Sequence, residues 1–178
     1  MKLLNSIKLF SAQRRSWALL LLISIGFEAC ALYFQHVKGL APCVMCVYER
    51  VAMFGIVFAA LIGLLKPSLS VIRWLGLLVW GGSAYQGLML SIQHVNFQLN
   101  PSPFDTCSLF TEFPAWLPLN DWLPSVFAAS GECSDISWTF LSLTMPQWLV
   151  IVFAANLIIL AGIIISQLAP NRARQQSY

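Results

Sequence analysis

Residues 147–168 read QWLVIVFAANLIILAGIIISQL, a stretch that contains no charged side chain. A transmembrane helix needs about 20 predominantly apolar residues to cross the hydrocarbon core of a bilayer, so this stretch predicts a membrane span. Three further apolar stretches predict spans at about 17–34, 47–65 and 72–92. Outside the four spans lie the termini, two short connections and one longer segment, 93–146.

The composition of the chain also favours lipid over water as its main solvent. Hydrophobic residues make up 58% of the sequence and charged residues only 10%, whereas a soluble domain carries about 25% charged residues. The mean hydropathy is +0.75. We therefore expect an all-α membrane protein, with one domain over residues 1–178 that forms an antiparallel four-helix transmembrane bundle. The first span is expected to be retained, because no signal-peptide cleavage site follows it.

The distribution of charge predicts which loops face outward. Lysine and arginine accumulate in cytoplasmic loops of membrane proteins. Here they precede the first span, occupy the connection between the second and third spans at Lys66 and Arg73, and recur in the C-terminal tail, whereas segment 93–146 has none. We expect both termini to be cytoplasmic and loops 35–46 and 93–146 to face outward. The net charge of +3 then reflects orientation and gives no argument for nucleic-acid binding.

Five cysteines are the chemically distinctive residues of the sequence. This topology places four of them in the outer loops, where an oxidising compartment lets disulfides persist, and their even number suggests two pairs. One candidate pair forms a C-x-x-C motif at the mouth of the second span, and strained or exposed bridges of this kind tend to be labile or catalytic. The other candidate pair would close the long loop, and such a bridge would normally be interpreted as structural. The cysteines are Cys43 and Cys46 in the motif, Cys107 and Cys133 in the long loop, and Cys30 in the first span.

Other chemistries of clustered cysteines fit the sequence less well. A zinc site typically has two closely spaced ligand pairs, and Cys107 and Cys133 are far apart with no histidine beside them, so we expect no metal. A c-type haem requires histidine directly after the second cysteine of its motif, and Val47 stands there. A thioredoxin-like domain requires a βαβ pattern around its C-x-x-C motif, but helical spans surround this one. Two purely structural disulfides remain an open alternative at this point.

Arg50 is the feature that favours redox chemistry. It follows Cys46 by four residues, so the two side chains share one face of a helix. Ionisable residues within a span are costly and usually mark a functional path. A guanidinium group there would stabilise a Cys46 thiolate and would also stabilise negative charge that develops on an electron acceptor. The alternative is an arginine that extends to the lipid headgroups.

Four further residues near this motif receive less specific predictions. Glu28, inside the first span, is expected to be protonated or paired with Arg50 or another donor, and Cys30 is expected to be a small core residue. Glu49 is expected to reach water. His94, where the third span meets the long loop, could donate a hydrogen bond to the acceptor or could simply be solvated.

Residues 113–127 predict a short helix that lies in the membrane interface. Large apolar residues recur there at steps of three and four, while three prolines limit any helix to short turns. Such a segment would hold the long loop on the membrane, while 101–104 would be extended and present Cys107 to a partner. Tryptophans at the span starts are expected to anchor at headgroup depth. The apolar set is Trp116, Leu119, Trp122, Leu123, Val126 and Phe127, and the anchors are Trp17, Trp74 and Trp148.

Several motifs, in order along the chain, resemble the disulfide bond formation protein B (DsbB) family. The resemblance covers nearly the whole chain outside the termini and includes both cysteine pairs. Cys30 is an extra thiol that the family pattern does not require. The motifs are FQHV at 34–37, PCVMCVYER at 42–50, PSPF at 101–104, WLPL at 116–119, ASG at 129–131 and MPQW at 145–148.

The resemblance implies an enzyme of the bacterial inner membrane that reoxidises the periplasmic dithiol oxidase DsbA and passes the electrons to membrane quinone. The expected cofactor is ubiquinone, with menaquinone as its substitute when oxygen is absent. The alternatives are a related quinone-linked oxidase with a different dithiol partner and a non-catalytic scaffold with structural disulfides. A reductase resembling vitamin K epoxide reductase fits the loop architecture poorly.

The resemblance also implies a role for each of the four cysteines other than Cys30. Cys107 would form the mixed disulfide with the partner, and Cys133 would then exchange with Cys43. Cys46 would be the thiolate that meets the quinone. The residues expected to bind the quinone are Arg50 and His94.

Overall fold

A computed structural model describes residues 2–100, 107–108 and 111–169 of the chain. The expectations for segment 101–104 and for the C-terminal tail beyond residue 169 lie outside these residues. The described residues form seven helices and one two-stranded sheet. The helices are α1 Lys2–Ser11, α2 Arg14–His36, α3 Val44–Leu65, α4 Ser70–Leu99, α5 Leu119–Trp122, α6 Pro124–Phe127 and α7 Met145–Leu168, and the strands are β1 Thr139–Phe140 and β2 Leu143–Thr144.

Four of these helices, α2, α3, α4 and α7, are long and apolar enough to cross a membrane. This confirms the prediction of an all-α membrane bundle. The third of these long helices, α4, continues to Leu99, beyond the predicted span end at Ile92. Because a helix can extend past the lipid boundary, the extra turns place His94 on a rigid helix instead of in a loop.

Helix α3 packs between α2 and α4, and α4 packs in turn against α7. Glycines permit the close approach of these helices, as is common in membrane bundles. A Cβ atom on Gly87 would overlap the ring of Phe153, which is fully buried. The indole of Trp80 donates a 2.9 Å hydrogen bond to Oδ1 of Asn156, which links α4 to α7 within the apolar core.

Trp17 does not lie open at the headgroup level as an anchor. Its side chain is only 3% exposed and fits over Gly63 and Gly76, where any Cβ atom would collide with the indole ring. Its Nε1 donates to the carbonyl oxygen of Ser11 at 2.9 Å, and its ring meets Trp80 edge-on at 6.4 Å. The prediction that Trp17 anchors the helix at headgroup depth was wrong. An amphipathic ring whose N–H group has a hydrogen-bond partner can pack equally well between helices.

The sequence did not predict α1, which contacts α2 and α7. Lys8 donates to the carbonyl oxygens of Gln167 and Ala169, both at 3.4 Å. Arg14 donates to the carbonyl oxygen of Leu65 at 3.0 Å. The last carbonyls of a helix have no partner within the helix, and cationic side chains satisfy them. The basic N-terminus thereby caps the ends of α3 and α7.

The long loop folds back over the other end of the bundle. Segment 113–127, which was expected to form one interfacial helix, contains two short helices, α5 and α6, in place of one. Phe127 is buried against Phe54 and Phe113, with ring centroids 5.8 and 6.3 Å apart, whereas Trp116 and Trp122 are exposed. The apolar residues therefore do not share one face, because Phe127 points into the bundle while the tryptophans point outward.

Candidate functional site

The C-x-x-C motif lies at the beginning of α3. Cys43 is the N-cap residue with extended backbone angles, and its Sγ accepts a hydrogen bond from the backbone N–H of Cys46 at 3.2 Å. Free N–H groups and the helix dipole at such a position favour negative charge. Both residues carry free thiols; Cys43 is buried and Cys46 is half-buried. The two thiols of the motif therefore lie together at the N-terminus of α3.

The second cysteine pair forms a disulfide between Cys107 and Cys133, as the count of outer-loop cysteines suggested. Cys133 is buried and packs in one cluster with Cys43 and Met45. Cys107 is half-buried at the edge of the same cluster. The two cysteine pairs, far apart in the sequence, are neighbours in the structure.

A short backbone contact holds the two loops together. The carbonyl oxygen of Pro42 accepts hydrogen bonds from the N–H groups of Ser130 and Gly131, at 2.9 and 3.0 Å. Cys43 and Gly131 form an isolated parallel bridge. A Cβ atom on Gly131 would collide with the carbonyl oxygen of Ala41, so only glycine allows this approach. The contact lies two residues from Cys133 and fixes its position beside Cys43.

A buried hydrogen-bonded chain connects Cys43 to two other helical residues. Nε2 of His94 lies 3.5 Å from Sγ of Cys43, and Nδ1 of His94 lies 3.1 Å from Oε1 of Glu49. His94 is 3% exposed and Glu49 is 2% exposed. The expectations that Glu49 reaches water and that His94 is solvated were both wrong, because the extension of α4 brings the imidazole against the first turns of α3.

Arg50 is buried as well, so the alternative of an arginine extended to the headgroups is also wrong. It is 6% exposed and pairs with Glu28 of α2 at 3.8 Å. Its Nη1 donates to Oε1 of Gln35 at 2.8 Å and to the carbonyl oxygen of Val126. The structure thus places Glu28 next to Arg50, as one of the expectations for Glu28 had it. The Nε atom of Arg50 and Oε2 of Glu28 have no hydrogen-bond partner among the described residues.

A cavity of about 330 Å³ opens beside these groups. Its volume falls within the range of small-molecule sites, which are mostly apolar with a few convergent polar groups. The charged and thiol groups of the motif line one part of it, and aromatic rings line another. The polar lining includes Glu28, Cys46, Arg50 and His94, and the aromatic lining includes Phe34, Trp138 and Trp148.

The aromatic lining is held by the hairpin of β1 and β2. Trp138 lies 5.1 Å from Phe34 and stacks on Phe140 at 6.1 Å. The indole of Trp148 donates to the carbonyl oxygen of Phe140 at 3.0 Å. Trp148 thus joins α7 to the hairpin while one of its faces borders the cavity. A flat apolar ring system could be accommodated against this surface.

Comparison with known proteins gives the family. The family model for Disulfide bond formation protein DsbB matches residues 13–163. The chain belongs to the DsbB family. The resemblance of the sequence motifs to this family is thereby confirmed.

Several curated relatives support this membership in the DsbB family. Disulfide bond formation protein B of Vibrio cholerae is 60% identical over 169 residues, which cover 95% of this chain and 98% of the relative. The protein of the same name from Vibrio alginolyticus is 61% identical over 165 residues, with 93% and 100% covered. That of Aliivibrio fischeri is 63% identical over 158 residues, with 89% and 94% covered. This DsbB-family chain is therefore a disulfide-forming membrane oxidoreductase.

Sequence reasoning missed two parts of the site in this DsbB-family protein. It assigned no role to Glu49, although a carboxylate next to Arg50 at the head of a span was a signal. It also missed Trp138, whose only signal was its place in an aromatic-rich segment before α7. Cys30, expected in the core, is exposed and borders the cavity.

Proposed function

We propose that the protein oxidises a periplasmic thioredoxin-fold dithiol protein, DsbA, and passes the two electrons to membrane quinone. Ubiquinone is the proposed acceptor, with menaquinone as its anaerobic substitute. The observation that carries the proposal is the position of Cys46 and Arg50 on one cavity, directly beside Cys43 and the Cys107–Cys133 disulfide. The cysteines proposed to react with the aqueous partner thus lie next to the cavity proposed to hold the lipid-soluble acceptor.

The first step is attack by a partner thiolate on Cys107. The disulfide to Cys133 breaks, the partner is joined to Cys107, and Cys133 leaves as a thiolate. The difference in burial supports this direction, since Cys107 is half-buried while Cys133 is buried against Cys43. The second thiol of the partner then displaces Cys107, so the partner leaves oxidised.

The second step transfers the electrons to the head of α3. The Cys133 thiolate attacks Cys43 of an oxidised Cys43–Cys46 pair, and Cys46 is released as a thiolate. Cys107 later attacks Cys133, which restores the loop disulfide and frees Cys43. Cys43 and Cys46 rejoin as their electron pair passes to the acceptor. Quinone supplies the oxidising power, taking up two electrons and two protons to become quinol.

Glu49 and His94 are proposed to move the proton of Cys43. If Nδ1 of His94 carries hydrogen and donates to Glu49, Nε2 is left as an acceptor facing the Cys43 thiol. An imidazole oriented by a carboxylate beside a thiol is the usual arrangement for activating a cysteine. His94 also lines the cavity, so its predicted hydrogen bond to the quinone stays a prediction.

Arg50 is proposed to stabilise negative charge at Cys46 and at the acceptor oxygen. Its guanidinium is held by Glu28, Gln35 and the backbone of Val126, which fixes its orientation before the reaction. Preorganised cations in a site shielded from water stabilise developing charge effectively. We propose that this buried charge is retained for that purpose, although burying it costs stability.

We also propose that the thiol end of the bundle faces the periplasm across the bacterial inner membrane and that both termini are cytoplasmic. The support is the concentration of Lys and Arg at the opposite end. Lys66, Arg73 and the basic N-terminus lie on that side, whereas segment 93–146 contains neither residue type. This is the asymmetry expected for cytoplasmic loops.

The test mixes the purified full-length protein with reduced DsbA and a soluble ubiquinone analogue. We expect two partner thiols to disappear for each quinone reduced, measured by thiol titration and quinone absorbance. Cys46→Ser should abolish quinone reduction, and Arg73→Gln, at the opposite end of the bundle, should leave it intact. Thiol loss without quinone reduction would contradict the proposed acceptor. Turnover with another dithiol protein but none with DsbA would favour the related oxidase.

A further inference from the structure

The Cys43–Cys46 pair and His94 form a group of three potential metal ligands. We propose that the reduced protein binds a thiophilic divalent cation, of which Zn²⁺ is the type, through the two thiolates and Nε2 of His94. This site lies beyond the proposed electron transfer and does not depend on the identity of the electron acceptor.

The distances between the ligand atoms suit such an ion. The Sγ atoms of Cys43 and Cys46 and a ring nitrogen of His94 all lie within 4.8 Å of one another, and the Cys43–His94 distance is 3.5 Å. Tetrahedral bonds to zinc of about 2.3 Å for sulfur and 2.0–2.1 Å for nitrogen place neighbouring ligand atoms roughly 3.5–3.8 Å apart. Small side-chain rotations therefore bring the three atoms to one ion.

Glu49 supplies an independent feature of a metal site. Histidines that bind metal almost always donate their second ring N–H to a carboxylate, carbonyl or water, which fixes the ring and its tautomer. Glu49 lies 3.1 Å from Nδ1 of His94 and is buried. The nitrogen that faces Cys43 is thus the one left free to bind an ion.

The ligand set also explains why the spacing of residues in the sequence did not predict a zinc site. Two cysteines and one histidine leave a fourth position open, as in zinc sites with three protein ligands. No histidine stands beside the loop cysteines in the sequence. The ligand is His94 of α4, which is far along the chain from the C-x-x-C motif. No short spacing in the sequence indicates this combination.

Binding would depend on the oxidation state of the pair. Metal ions bind deprotonated thiols, so the ion displaces two protons when both thiols are protonated, and no electrons move. A Cys43–Cys46 disulfide has no thiolate to offer and would not bind. While bound, the ion holds both sulfurs and prevents their disulfide exchange until a chelator removes it.

The experiment titrates the reduced full-length protein with Co²⁺ under anaerobic conditions, after removal of the reductant. We expect one ion per chain, with sulfur-to-cobalt charge-transfer absorption that Zn²⁺ abolishes by displacement. Cys46→Ser and His94→Gln should lose this signal. Glu49→Gln should weaken binding by about 10–100-fold, as for other carboxylates that orient a ligating histidine. Cys30→Ala is the matched thiol control and should bind like the parent.

Reduction also frees Cys107 and Cys133, so these thiols need their own control. The Cys107→Ala/Cys133→Ala protein should retain the cobalt signal, with helical circular dichroism confirming that each variant is folded. Loss of the signal in that protein, or its persistence in folded His94→Gln or Cys46→Ser, would overturn the assignment. Equal affinity of the oxidised protein would do so as well. Because no partner or quinone is present, the result is separate from the test of electron transfer.

Discussion

The two ends of α3 differ in what they bury. At its C-terminal end, Gly63 receives the indole of Trp17, and cationic side chains cap backbone carbonyls near the surface. At its N-terminal end, Glu49 and Arg50 are buried together with Glu28 and His94 of neighbouring helices. Burying ionisable groups is costly even when they are paired. The difference indicates that one end contributes mainly to stability, while the other keeps unfavourable groups for chemistry.

The largest effect is expected at Cys43. Cys43→Ser should limit oxidation to one partner molecule per chain, because the Cys107–Cys133 disulfide can be used once and cannot be regenerated. Rapid-mixing measurement of partner thiols, followed over many equivalents, tests this. Continued turnover would show that Cys43 is not needed to regenerate the loop disulfide. The proposed difference in role between the two ends of α3 would then be wrong.

Arg50→Gln should have the next largest effect. Loss of one preorganised charge-stabilising donor typically lowers turnover by about 10²–10³-fold, so quinone reduction should fall by roughly 10²-fold. The first exchange with the partner should proceed at an unchanged rate, measured as mixed-disulfide formation. Arg73→Gln is the matched control, because Arg73 donates to the carbonyl of Pro67 at the opposite end. Equal losses in both exchanges would remove the role assigned to Arg50.

Glu49→Gln should reduce turnover by about 10-fold, a part of the 10²–10⁴-fold that a positioned acid or base contributes. The carboxylate orients His94 without touching the sulfur, so its loss should slow alkylation of Cys43 by iodoacetamide more than alkylation of Cys30. Asp121→Asn, in the exposed helix α5, is the matched control. A Cys43 alkylation rate identical to that of the parent would show that the hydrogen-bonded chain only supports the fold.

The smallest effect on activity is expected at the opposite end. Gly63→Ala places a methyl group against Trp17, and overpacking of this kind typically costs about 1–3 kcal/mol of stability. Unfolding in mixed micelles should show that loss, while turnover of the folded protein stays unchanged. Gly162→Ala is the control, since no atom lies within 4 Å of its added Cβ. A loss of activity that exceeds the loss of folded protein would mean that the two ends are coupled.

Local signals were sufficient for much of the architecture. Hydropathy predicted the four long helices, and the C-x-x-C motif at the head of the second span predicted Cys43 near a helix start, where it is the N-cap residue. The pairing of Cys107 with Cys133 followed from counting outer-loop cysteines once the topology was assigned. Each of these inferences rests on composition or spacing within one segment or one loop.

Contacts between segments were beyond such reasoning. His94 meets Cys43 and Glu49 only because α4 extends past the predicted span and packs on α3. The direction in which Trp17 points depends on the glycines of two other helices. The hairpin was missed because Leu141 and Ser142 adopt φ values of 51° and 65°, positions where a two-residue turn usually has asparagine or glycine.

The hydrogen bonds from the loop amides to Pro42 have a kinetic consequence. Cys133 and Cys43 belong to one chain, and these bonds hold them side by side. Well-oriented intramolecular reactions reach effective molarities of about 10⁵–10⁸ M, so the proposed exchange would be fast. The rate of that exchange would therefore be independent of how sparsely the protein is distributed in the bilayer. Only the encounters with its two diffusing reactants would vary with concentration.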